Sequence, residues 1–213
     1  IKQALTGLSA DVVFLQEVQG RHDLLALRHS ANWPRQSQHE FLAEDHQHSA
    51  YGMNAVYDHG HHGNALLSNF PITAARNHDV SDHAFESRGI LHCVLQLEKT
   101  SVHCYVIHLG VFAGSRLRQM QALIDAVIST APPEAPLIIA GDFNDWTNAL
   151  SESLRKRLNV TEVFDHAITT RSFGAYLRRL SGRGPRKAPA RTFPAAMPVL
   201  QLDRIYVRGF KVE

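Results

Sequence analysis

The chain has 213 residues, 44% of them hydrophobic and 20% charged, and a formal net charge of +2. This is an ordinary globular composition, long enough to bury a sizeable core, with a charge too small to name a partner. No leader pattern and no apolar run of membrane-spanning length is visible, which excludes a helical membrane span. Nothing resembles an inter-domain linker, so one domain is expected.

In chain order, Ile1 opens a helix-like pattern that lacks a cap, so a preceding segment is expected. "DVVFLQEV" reads as a strand and "RHDLLALRHS" as a helix. The chain then turns histidine-rich in "DHQHSAYG" and "YDHGHHGNALLS". Fourteen histidines are unusual, but their spacing fits no zinc template, and His61 and His62 are read as lining or capping a loop. "NALLS" is a short strand. "GILHCVLQLE" and "SVHCYVIHLG", parted by Lys99 and Thr100, form an antiparallel hairpin. It carries Cys93 and Cys104, read as two buried thiols in a reducing, cytoplasmic compartment.

"SRLRQMQALIDAVIST" places Leu117, Met120, Leu123, Ile124, Val127 and Ile128 on one helical face, with Ser115 as N-cap and Pro132–Pro133 as terminator. "PLIIAGDF" is a buried strand, "NALSESLRKRLN" a third helix and "LDRIYVRG" a last strand. Between the last two lies "RRLSGRGPRKAPAR", Arg178 to Arg191, a basic stretch with almost nothing to bury. It is read as a surface loop or as a phosphate-attracting flap. Mixed strands and helices with at least one hairpin imply an α/β or α+β layered fold.

Three apolar strands adjoin carboxylates: Glu17 and Asp142 close two of them, and Asp203 opens a third. An ionised carboxylate at a core-strand edge is costly unless it is paired or bound to metal. With Asn144 and His108, these acids read as one polar site at one end of a sheet. Oxygen donors of this kind suit magnesium or manganese and substrate phosphates, hence metal-assisted attack on a phosphate ester. Arg88 reads as a partner of Glu86 or as a phosphate contact, and Trp146 and Phe193 as core or rim aromatics.

The blocks "FLQEV", "GNALLSNFPI", "VIHLG" with "RLRQ", "AGDFND" and "LDRIYV" resemble, in order and over almost the whole chain, the endonuclease/exonuclease/phosphatase superfamily. That group includes exonuclease III-like and DNase I-like nucleases, sphingomyelinases, inositol polyphosphate phosphatases and deadenylases. The resemblance implies a four-layer αββα sandwich of two stacked mixed sheets flanked by helices, as in DNase I. It implies that Glu17 binds the divalent metal, with Asp142 and Asn144 beside it. Asp142 would orient or deprotonate the attacking water, and Asn144 would contact the phosphate. His108 would donate to a phosphate oxygen or leaving group, and Asp203 would orient a catalytic histidine. Asn64, Arg88 and Arg116 are implied to line or brace the substrate site, as is Gln119.

Two blocks of that superfamily are missing: an opening strand ending in Asn and a closing Ser-Asp-His. "SDH" occurs at Ser81 to His83, out of order. Residues 1–213 are therefore expected to be a single domain without its first and last strands, with the base histidine beyond Glu213. The expected activity is Mg2+- or Mn2+-dependent hydrolysis of a phosphodiester by in-line attack of water, in a monomer. Nucleic acid is placed ahead of a phospholipid headgroup as substrate. The rival reading is a catalytically silent phosphate-binding module.

Overall fold

The structure is a computed structural model that describes residues 2–29, 33, 36–43, 46–146, 149–166 and 202–212. Helix α1 (Lys2–Leu8) leads into β1 (Val12–His22), followed by α2 (Asp23–Arg28) and α3 (Gln38–Leu42). Strands β2 (His48–Tyr57), β3 (Gly60–Ser68), β4 (Ile72–Asp79), β5 (Gly89–Leu97) and β6 (Thr100–His108) follow. Helix α4 (Ala113–Thr130), β7 (Leu137–Asp142), α5 (Ser151–Leu158), β8 (Thr161–Glu162), a 3-10 helix (Val163–His166) and β9 (Asp203–Arg208) complete the described elements.

These strands form a three-stranded sheet, order β1-β3-β2, and a six-stranded sheet, order β4-β5-β6-β7-β9-β8. The smaller is antiparallel, while the larger is mixed, because β6 and β7 run parallel with α4 as their crossover. Period-two alternation sends one set of side chains from β5 and β6 between the sheets and the other toward the helices. Leu91, Cys93, Leu95, Val102, Cys104 and Val106 meet Ala50 and Leu66 of the smaller sheet. Ile90, Tyr105 and Ile107 join Ile139 and Tyr206 beneath Met120, Leu123, Ile124 and Val127 of α4 and Leu154 of α5. Helix α3 packs against the smaller sheet. The layers are thus helix, sheet, sheet, helix, the sandwich implied above. Each fully buried Leu or Ile contributes about 1.5–3 kcal/mol to holding them together.

Several local expectations shift. The hairpin turn is Glu98–Lys99, because Leu97 pairs with Thr100 and Glu98 takes a φ of 49°. Arg21 and His22 belong to β1, which extends past the apolar run, and His22 then caps α2 by accepting from the Leu25 N–H at 3.3 Å. The histidine-rich segment is a β-hairpin. His61 and His62 lie on β3, and Nδ1 of His61 sits 2.9 Å from the Tyr51 hydroxyl. Helix α4 starts one residue after Phe112, its N-cap, so Ser115 lies inside the first turn and donates to Asp82 at 2.6 Å. Its buried stripe runs through Ser115, Arg116, Gln119, Met120, Leu123, Ile124 and Val127. Leu117 and Ile128 sit one residue off that stripe, about 100° around the helix, and are 61% and 59% exposed. Cys93 and Cys104 are register partners, buried and free, and burial pushes the Cys93 thiol up to about 12. Among the described residues, no helix is long and apolar enough to cross a membrane.

Candidate active site

The chemistry gathers at a bulge within β1, where β6 and β7 end and β9 begins. In β1 the pairing with β3 slips: Leu15 faces Ala65 but Val18 faces Gly63, so Gln16 and Glu17 together oppose Asn64. Such a bulge re-aims a side chain. Glu17 takes a φ of 53° and swings its carboxylate away from the smaller sheet, until Oε1 lies 3.7 Å from Nδ1 of His108. The Glu17 side chain stays 62% exposed, whereas that of His108 is 12% exposed.

His108 and Asp142 are register partners on the parallel pair β6 and β7, with Nε2 of the histidine 3.9 Å from Oδ2 of the aspartate. Asp142 is in turn the register partner of Asp203 on β9. Just beyond, the chain turns sharply. Asn144, at φ 47°, donates its backbone N–H to Asp142 Oδ1 at 2.8 Å and its side-chain amide to the Leu109 carbonyl at 2.8 Å. This is an Asx turn, and it fixes the aspartate rotamer. Gly141 makes the approach of β7 to β6 possible. Its φ is +146°, and a Cβ there would lie 2.0 Å from the Ile107 carbonyl oxygen.

The electrostatics set acid and imidazole apart. Burial raises the Asp142 carboxyl, and Asp203 adds to the rise, against the Asn144 N–H, His108 and Arg88. Burial and then Arg88 push His108 below the ordinary histidine range, against Asp142, Glu17 and Glu86. At neutral pH His108 is thus a neutral imidazole, with one ring N–H to donate and one nitrogen to accept.

Glu17, His108, Asp142, Asn144 and Asp203 come together as the sequence led us to expect, and the charge of Arg88 bears on two of them. Asn64 and Arg116 are differently occupied. Asn64 is fully buried and donates to the carbonyls of Gly89, at 2.9 Å, and Val106, at 3.3 Å, linking the two sheets. Arg116, 9% exposed, donates to the Gly110 and Val111 carbonyls. Gln119 accepts from the Gly110 N–H at 2.7 Å. The basic stretch Arg178–Arg191 and Phe193 lie outside the described residues. Trp146 is 54% exposed, two residues past Asn144.

Sequence reasoning overlooked Asp145. It is 2% exposed, accepts from the Leu150 N–H at 2.9 Å, and has its carbonyl bound by the buried Arg204 at 3.1 Å. The second acid of "GDFND" was the available signal. Glu86 was weighed only as a partner for Arg88, and its other contacts involve residues distant in sequence.

Among the described residues, no three carboxylate, imidazole or thiolate groups form a ready metal-ligating cluster. The donor set still fits a hard divalent cation. Magnesium keeps several waters and takes only one or two carboxylates from the protein, and Glu17 offers an exposed carboxylate on the histidine that Asp142 also faces.

The profile of the Endonuclease/Exonuclease/phosphatase family matches residues 1–213. The uncharacterized protein YbhP of Escherichia coli strain K12 is 40% identical over 212 residues, covering 98% of this chain and 76% of that protein. An endonuclease/exonuclease/phosphatase from Beutenbergia cavernae superposes with a TM-score of 0.67 at 16% identity, over 98% of this chain. The chain spans 57% of that protein's length. A mannosyl-6-phosphatase from Bacteroides thetaiotaomicron superposes with a TM-score of 0.65 at 13% identity, over 98% of this chain and 75% of its own.

Proposed function

Because the chain belongs to the endonuclease/exonuclease/phosphatase family, whose chemistry is phosphoester hydrolysis, we propose that it hydrolyses a phosphodiester with the help of a divalent cation. The observation that carries this reading is the meeting of Glu17, at the β1 bulge, with His108, and of His108 with Asp142, from two different sheets and within 4 Å contacts.

Glu17, with Asp142 and Asn144, would hold magnesium or manganese, which when bound neutralises charge on the phosphoryl group. Asp142, locked by the Asn144 N–H and raised by burial, accepts a hydrogen bond from the attacking water and aligns it. His108, a neutral imidazole, donates its ring N–H to a phosphoryl or leaving-group oxygen. The Asn144 amide spends one hydrogen on Leu109 and keeps its second for the phosphate. Asp203, in register with Asp142, would orient the base histidine that the family resemblance implies as proton acceptor.

For the substrate we favour nucleic acid, supported by the basic run from Arg178 to Arg191, over a phospholipid headgroup. The fold is shared with a protein named as a mannosyl-6-phosphatase, so monoesters belong in the test. The assay compares bis-p-nitrophenyl phosphate with p-nitrophenyl phosphate, each with magnesium, manganese or chelator. Metal-dependent diester turnover is expected, falling by roughly 10²-fold or more in Glu17→Gln and in Asp142→Asn while the melting temperature holds. A folded protein without turnover, whose inorganic phosphate affinity survives both substitutions, would instead be the silent binding module.

A further inference from the structure

One buried carboxylate is used neither by the sequence motifs nor by the proposed chemistry. Glu86 is 8% exposed. Its Oε1 accepts from the Val111 N–H at 2.9 Å and lies 3.6 Å from Nη2 of Arg88. Its Oε2 is buried with no hydrogen-bond partner among the described residues. Gly110 makes room for it, since a Cβ there would lie 2.2 Å from that oxygen. A buried carboxylate with so few partners is costly, and such groups call for an explanation.

The surroundings supply one. Residues Leu109 to Val111 directly follow His108 and are held by side chains from three directions. Asn144 binds the Leu109 carbonyl, while Arg116 and Gln119 of α4 bind the peptide groups of Gly110 and Val111. Glu86 completes the clamp from the loop before β5, and of these side chains it is the one that is also ion-paired with Arg88. The Arg88 guanidinium is 14% exposed, its Nε is buried with no hydrogen-bond partner among the described residues, and its charge reaches both His108 and Asp142. Its Nη1 donates to the Ser87 carbonyl at 3.4 Å and its Nη2 faces Glu86, so the outer edge of the guanidinium is held by its own loop.

We infer that Glu86 is a positioning residue, tying the Arg88 guanidinium to the loop that follows His108 so that Arg88 meets the phosphoryl oxygens in a fixed pose. This rests on the phosphoester reading of the same site. The role is indirect: Glu86 acts through Arg88, and its effect should vanish when Arg88 is absent.

The test is a double-mutant cycle on the full chain with Glu86→Gln, Arg88→Met and the pair. Glutamine keeps an acceptor for the Val111 N–H but removes the charge that orients Arg88. With bis-p-nitrophenyl phosphate and manganese, kcat/KM should fall roughly 10-fold in Glu86→Gln and roughly 100-fold in Arg88→Met, with the pair no worse than Arg88→Met alone. Losses that multiply in the pair would overturn the inference and leave Glu86 a structural residue. If Glu86→Gln fails to fold, Glu86→Asp, which withdraws the carboxylate but keeps its charge, takes its place in the cycle. The same proteins are titrated with inorganic phosphate. If wild type binds phosphate but does not turn over the diester, the hydrolytic reading fails, and the phosphate cycle still decides the role of Glu86 by the same criterion. If wild type does neither, both readings fall.

Discussion

The carbonyl oxygen of Ile107 occupies the space where a Cβ on Gly141 would stand, 2.0 Å from that point. Ile107 precedes His108 and Gly141 precedes Asp142, so this close approach lies one register step from the histidine–aspartate pair. Gly141→Ala must shift one strand against the other or abandon a φ of +146°. We expect a loss of about 3 kcal/mol or more, read as a lower denaturant midpoint, with diester hydrolysis reduced even where the protein is still folded. A loss under about 1 kcal/mol would mean that the strands yield easily, and the argument for a rigid platform would fail.

Asn64 lies in a block implied to serve the substrate, yet its amide hydrogens go to the Gly89 and Val106 carbonyls across the sandwich. Asn64→Leu, which keeps the volume, should cost about 1–3 kcal/mol through the two carbonyls it leaves short of a donor. Chemical denaturation measures this directly. KM for the model diester should stay within about two-fold. A large rise in KM at unchanged stability would return Asn64 to the substrate.

On the helix-facing side of the large sheet, Nε2 of His92 and Nδ1 of His103 are 3.0 Å apart, and His92 stacks on Tyr105 at 4.5 Å. Burial first, then His103 and His78, depress His92 from its ordinary 6.5 to about 4, while His103 is itself lowered by burial and by Arg208. Between those pH values the unfolded chain binds a proton that the folded chain refuses. The stability linked to His92 is thus complete above pH 6.5 and is lost as pH falls toward 4, for a total of about 2–3 kcal/mol. Guanidinium midpoints at pH 7.5, 5.5 and 4.5 should show this slope in wild type and a flatter one in His92→Asn. Parallel slopes would sink the assignment.

What the sequence disclosed divides along physical lines. Strand-end acids in apolar runs marked Glu17, Asp142 and Asp203, because burial near charge leaves a local composition signal. The bulge at Glu17 left none: "FLQEV" reads as a strand end, yet β1 runs on to His22, and the left-handed turn is forced by pairing with β3. Helical periodicity located α4 but misassigned Leu117 and Ile128, since a stripe one residue wide is decided by where the helix axis meets the sheet. The inward-facing polar groups Asn64 and Glu86 depend on partners 25 or more residues away. No local pattern encodes such distances.

The register that sets Asp142 beside Asp203 joins two strands separated by a long stretch of chain. Loop-closure entropy grows only logarithmically, so doubling that span of about sixty residues would cost only about 0.6 kcal/mol. Added length in that span is therefore tolerated while the two aspartates remain in register. The acid pair is set by the register of the sheet, so the part of the span that neither packs in the core nor touches the site can change length without rebuilding the catalytic end.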